Sequence, residues 1–168
     1  MTGTSDTDRP ARWPAAPAAA VLTVCGALSL YVAFATAVPD VDHLQSRGDA
    51  AIAAGDHAAA TLHFRHLLAL EPNEPRHAFA LATALDRQKR RGEAMAVLGT
   101  VAPVDGVGHA PAHLALAEWT VEARVLGASI DDRALDAAKA HAAAAMRDAS
   151  LRPQAAALSD VIDGLRAN

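Results

Sequence analysis

The sequence predicts an all-α protein in which one apolar helix of membrane-spanning length precedes a short α-solenoid of antiparallel helix pairs. Three observations carry this expectation. Alanine makes up 44 of the 168 residues, and alanine loses no side-chain entropy when it enters a helix. No charged side chain occurs between Arg12 and Asp40. Beyond residue 41, small and large apolar residues recur at an interval of 34, the signature of stacked repeats. An aromatic content of 4% is too thin for a core built from strand-forming residues.

Charge and cysteine remove whole function classes. Fifteen Lys and Arg stand against 19 Asp and Glu, and a pI near 6.0 gives no global basic field for nucleic acid. The single cysteine, Cys25, rules out an internal disulfide, a CxxC redox pair and a cysteine-based zinc site.

Residues 1–17 carry Thr, Ser, Asp and three prolines, the composition of a disordered tail. Residues 18–38 then read AAAVLTVCGALSLYVAFATAV. At about 1.5 Å per residue this makes a helix of roughly 31 Å, the thickness of a bilayer's hydrocarbon core. Trp13 suits the interface on one side, and Pro39 ends the helix on the other. A buried core helix would show a polar face, and none is present. A cleavable signal peptide is the rival, since Ala33-Phe34-Ala35 and Ala35-Thr36-Ala37 both offer small-x-small cleavage sites. The retained anchor is favoured because the apolar run exceeds the roughly 7–15 residues of a signal core. Arg9 and Arg12 before the span, against Asp40, Asp42 and Arg47 after it, place the N-terminus in the cytoplasm and the rest outside it.

From Val41 the array begins. Gly48, Ala51, Ala60, Phe64 and Leu67 return as Ala82, Leu85, Ala94, Leu98 and Val101, small answering small at 48 and 60 and large answering large at 64 and 67. Each unit holds two helical stretches around a polar turn, Gly55-Asp56 in the first and residues 87–92 in the second. The units span about 41–74, 75–108 and 110–153, with a closing helix over 154–165. Residues 124–132 form an insertion of about nine residues relative to the 34-residue frame. Three units are about the minimum for such a stack, because one helix pair cannot bury its own apolar face.

This pattern resembles the tetratricopeptide repeat. Leu44 stands where that motif has its first large residue, Gly48 at its glycine, Ala60 at its central alanine, Phe64 at its aromatic and Pro72 at its closing proline. Ala82, Leu85, Ala94 and Leu98 match in the second unit, where Gly106 replaces the closing proline. A membrane span followed by a short array resembles bacterial membrane-anchored or periplasmic members of the family, which are adaptors of envelope assembly complexes. The resemblance implies presentation of a groove to a protein or peptide partner, with no catalysis, no cofactor and no small-molecule substrate. It implies an inner-membrane location with the repeats outside the cytoplasm. An accessory subunit of an envelope or cytochrome assembly complex, and a purely self-associating array, are the other readings.

The family's groove-facing positions fall on Gln45, Asp49 and Ile52 in unit one, and on Arg76, Phe79, Thr83, Asp86 and Arg87 in unit two. In unit three they fall on Leu114, Glu118 and Glu122. Arg87, Lys89, Arg90 and Arg91 make the densest charge run, read as a solvated turn in preference to a docking point for an acidic partner or lipid phosphate. Without interleaved aromatics it is no nucleic-acid signal. His57, His63 and His66, and the pair His109 and His113, have helical spacings, but a metal site needs three or four ligands with oriented second shells, no carboxylate sits in an HExxH-type arrangement, and Pro111 lies inside the second pair. His113 is expected to pack at a repeat joint. No phosphate loop or GxSxG elbow occurs, and no His and Asp pattern singles out Ser46, Ser129 or Ser159.

Overall fold

A computed structural model describes residues 40–167 of the chain. The expected tail and apolar span, residues 1–38, lie outside the described residues. Among the described residues the regular structure is seven α-helices without a strand, and no helix is long and apolar enough to cross a membrane. The helices are α1 (Val41–Ala53), α2 (His57–Leu70), α3 (Pro75–Arg87), α4 (Arg91–Val101), α5 (Ala110–Val125), α6 (Asp132–Ala145) and α7 (Arg152–Arg166). Each packs on the next in the chain, and α7 also reaches back to α5. Connections this short force consecutive helices to run antiparallel, so α1, α3 and α5 point one way and α2, α4 and α6 the other.

Local chemistry sets the helix ends. Asp40, Asp56 and Asp131 cap α1, α2 and α6 by accepting the backbone N–H of Asp42, Ala59 and Ala134, satisfying donors that the first turn leaves free. Glu74 caps α3 through the Arg76 N–H, and Pro75 occupies its first turn, where a missing N–H costs nothing. Pro111 does the same for α5, which begins only after His109.

The turns inside the three pairs share one geometry. Gly55, Lys89 and Gly127 each follow the first helix of a pair by two residues and adopt a left-handed backbone, with φ of 75°, 64° and 87°. In each turn the next N–H, of Asp56, Arg90 or Ala128, donates back to the carbonyl of Ala51, Leu85 or Ala123. This is the Schellman closure, and glycine suits its left-handed position because it has no Cβ. Lysine stands there in the second pair.

The core is laid down in sequence along the stack. Ala60, Phe64, Leu67, Leu81, Ala82, Leu85, Ala94, Leu98, Ala112 and Leu116 belong to one cluster running from α2 to α5. Gly48, the one buried residue of α1, lets α1 approach α2 closely. A Cβ there would stand 2.6 Å from Phe64 Cε1. Ala117, Val121, Leu135, Ala138, Ala142 and Ile162 form a second cluster joining α5, α6 and α7. Leu114, Ala145 and Ala155 form a third. The ion pairs Lys139–Asp163 and Arg166–Asp136 fasten α7 to α6 from outside.

Candidate functional site

The positions expected to face a groove lie on α1, α3 and α5, and five of the eleven, Gln45, Arg76, Asp86, Arg87 and Glu122, line two hollows. One, of about 480 Å³, is lined by Gln45 and Arg76 together with Val41, Asp42, Glu71, Glu74 and His77. The other, of about 670 Å³, is lined by Asp86, Arg87 and Glu122 with His57, Lys89, Arg91 and Leu126.

In the first hollow Gln45, Glu71, Glu74, Arg76 and His77 are already hydrogen-bonded. Gln45 donates through Nε2 to both carboxylate oxygens of Asp49, one turn on, at 3.1 Å each. Arg76 Nε donates to Glu74 at 2.9 Å. That bond, with the Arg76 N–H, holds the Glu74 carboxyl down at about 2, so the cap of α3 stays ionised across the physiological range. His77 is buried and bonds to Glu71 at 2.8 Å. Ile52 is half-buried and packs against the core of the first two pairs.

Along α3, Phe79 is half-buried with its ring edge-on to His109 at 5.7 Å, and Thr83 Oγ1 donates to the Phe79 carbonyl at 2.9 Å. In the second hollow Arg91 is the hub. Its Nε donates to Asp86 and another guanidinium N–H to Glu122, both at 2.7 Å, while its guanidinium lies 5.5 Å from the centre of the Trp119 ring. One side chain thereby joins α3, α4 and α5, and the hydrogen bond to Asp86 holds its pKa above the ordinary arginine value.

Two of the unit-three positions differ from the expected groove. Leu114 is only 6% exposed and packs with Ala145, Ala155, Met146 and Leu158, so it is a core residue. Glu118 accepts a hydrogen bond from Gln154 Nε2 at 2.6 Å. The reason is common to both: α7 lies on that part of α5 and covers it. Of the unit-three positions, Glu122 alone reaches a hollow.

Sequence reasoning missed Trp119 as part of this surface, and read Lys89 and Arg91 as a solvated turn in preference to a docking point. The spacing of Trp119 and Glu122, three apart on α5, puts both on one face and could have marked the pair. It had no means of linking them to Arg91, 31 residues before Glu122. His113 does pack at a joint. Its Nδ1 lies 2.8 Å from His141 Nδ1, and both rings are buried. Burial, with the neighbouring His141 and Arg147, pushes His113 down to about 4, and burial lowers His141 as well. Among the described residues no group of three or more His, Cys, Asp or Glu is placed to hold a metal ion.

The surface is therefore one of fixed ion pairs, hydrogen-bonded side chains and partly exposed apolar groups on the first helices of successive pairs. No curated protein and no solved structure matches the chain. The tetratricopeptide repeat family model matches residues 51–118, from the last turn of α1 to the middle of α5. With that match and its successive helix pairs, the chain carries tetratricopeptide repeats across residues 51–118.

Proposed function

We propose that the protein is a membrane-anchored scaffold that holds a peptide or protein partner on the face made by α1, α3 and the second half of α5. Repeats of this kind serve protein–protein interaction, because stacked helix pairs offer an extended surface that one pair alone does not. The observation that carries the reading is the placement of Gln45, Arg76, Asp86, Arg87 and Glu122 around two hollows, with Phe79 and Thr83 on α3 between them in sequence. The uncharged stretch of residues 18–38 supports anchoring in a bacterial inner membrane, N-terminus inside and repeats outside. The small-x-small sites at Ala33-Phe34-Ala35 and Ala35-Thr36-Ala37 favour a second reading, a periplasmic or secreted protein released by cleavage. Service as an accessory subunit of an envelope or cytochrome assembly complex uses the same face.

A photocrosslinker at Thr83, activated in native membranes, is expected to capture a discrete partner. The same probe at Leu62, 67% exposed on α2, is expected to capture none. Equal capture from both positions removes the assignment of the face. The mass of the native chain decides the anchor: loss of the residues before Thr36 or Val38 makes the protein a released one.

A further inference from the structure

The four basic residues between 87 and 91 are not equivalent. Arg90 is bound to Glu93 at 2.6 Å, and Arg91 is held between Asp86 and Glu122. The side chains of Arg87 and Lys89 make no ion pair or hydrogen bond among the described residues. Both line the larger hollow beside Leu126, whose side chain is 76% exposed. Because Arg91 already occupies the two carboxylates of that hollow, the charge left free is positive. Lys89 adds an independent sign. It holds the left-handed backbone position that Gly55 and Gly127 fill in the other two turns, and a side chain retained against local backbone strain points to a use for that side chain.

We infer that this hollow docks an acidic segment of a protein partner, its carboxylates on Arg87 and Lys89 and a large apolar side chain against Leu126. The hollow lies where α3 and α5 end and α2 begins, at the turn edge of the stack, so it adds an anchoring point to the face described above. The inference rests on the scaffold reading in one respect only, that the partner is a protein.

The probe is a fluorescein-labelled peptide of glutamates around a central Leu-Leu pair, titrated by anisotropy against the full chain in a non-ionic detergent. Saturable binding is expected, weakened about tenfold or more by Arg87→Gln combined with Lys89→Gly, and equally by glutamine in place of glutamate in the peptide. Lys89→Gly keeps the turn geometry, and unchanged helical circular dichroism shows that the variant is folded. Leu126→Ser is expected to weaken binding about threefold. Arg47→Gln, a cation removed outside the hollow, is expected to leave it unchanged. Absence of saturable binding, equal binding by the double variant, or an equal loss with Arg47→Gln overturns the inference. So does a chain that ignores the peptide but is retained, through Arg87 and Lys89, by micelles doped with phosphatidylglycerol. None of these failures touches the face itself, which stands or falls on capture from Thr83.

Discussion

Gly48→Ala probes the close approach of α1 to α2. The added Cβ would stand 2.6 Å from Cε1 and 2.8 Å from Cζ of Phe64, inside any real carbon–carbon contact. Phe64 is 1% exposed, so its ring cannot swing outward to make room. Overpacking of this kind costs about 1–3 kcal/mol, while alanine in place of glycine inside a helix returns about 1 kcal/mol. The net expectation is a loss of about 1 kcal/mol. The second pair supplies the control, because Ala82 and Leu98 stand 34 residues on, with the extra methyl on one helix and a smaller side chain on the other. Phe64→Leu alone removes buried carbon and costs about 1 kcal/mol. Combined with Gly48→Ala it rebuilds the second pair's contact inside the first, so the double variant is expected to recover about 1–2 kcal/mol relative to the sum of the singles. Urea denaturation of the full chain in detergent, followed by helical circular dichroism, measures all corners of the cycle. Additivity to within about 0.5 kcal/mol, or a Gly48→Ala variant more stable than the parent, would refute the close-approach argument.

Lys89→Gly is expected to stabilise the fold by about 0.5–1 kcal/mol, the left-handed penalty of a side chain less the entropy that glycine loses on folding; a lower melting temperature in the variant contradicts this. His113 should make stability depend on pH. Its folded pKa of about 4 lies below its ordinary 6.5, so the unfolded chain binds the proton more readily. Its contribution is complete above 6.5 and is lost as pH falls toward 4, up to about 3 kcal/mol. Urea midpoints at pH 7 and pH 5 test it, and equal midpoints would count against a neutral buried pair. Arg91→Ala should cost about 1–2 kcal/mol, since its ion pairs are partly exposed and its ring contact is modest. The linkage of α3 and α4 to α5 should loosen, and protease cleavage within residues 103–108 should speed several-fold. Cleavage at the parent rate would show that Arg91 does not hold the joint.

Much of this fold was legible because repeat architecture writes itself in residue size. Gly48, Ala60, Phe64 and Leu67 announce a helix pair, and their counterparts 34 residues later announce the next. The charged and hydrogen-bonded geometry was not legible. Arg91 and Glu122 are 31 residues apart, as are Gln88 and the His57 carbonyl it bonds, and no local pattern encodes such partners. Lys89 was hidden for another reason: lysine carries no turn signal, and only the shared Schellman closure of the three turns exposes its backbone. Leu114 was misplaced because sequence gives a helix its apolar face but not the element that covers it.

That covering follows from a trade in volume along the stack. Across the pairs the small position on the first helix goes from Gly48 to Ala82 to Ala117, while the facing position on the second goes from Phe64 to Leu98 to Ala142. By the third pair the two positions no longer fill the space between their helices, and alanine against alanine would leave a void that dense packing does not tolerate. Ile162 of α7 enters that cluster fully buried, Leu135 lies beside it, and the His113–His141 contact spans the same helix pair. The third pair is therefore completed by α7, and the cover over Leu114 and Glu118 is a consequence of that completion. The open part of the α1, α3 and α5 face, with both hollows, consequently lies on the first two pairs and the far end of α5.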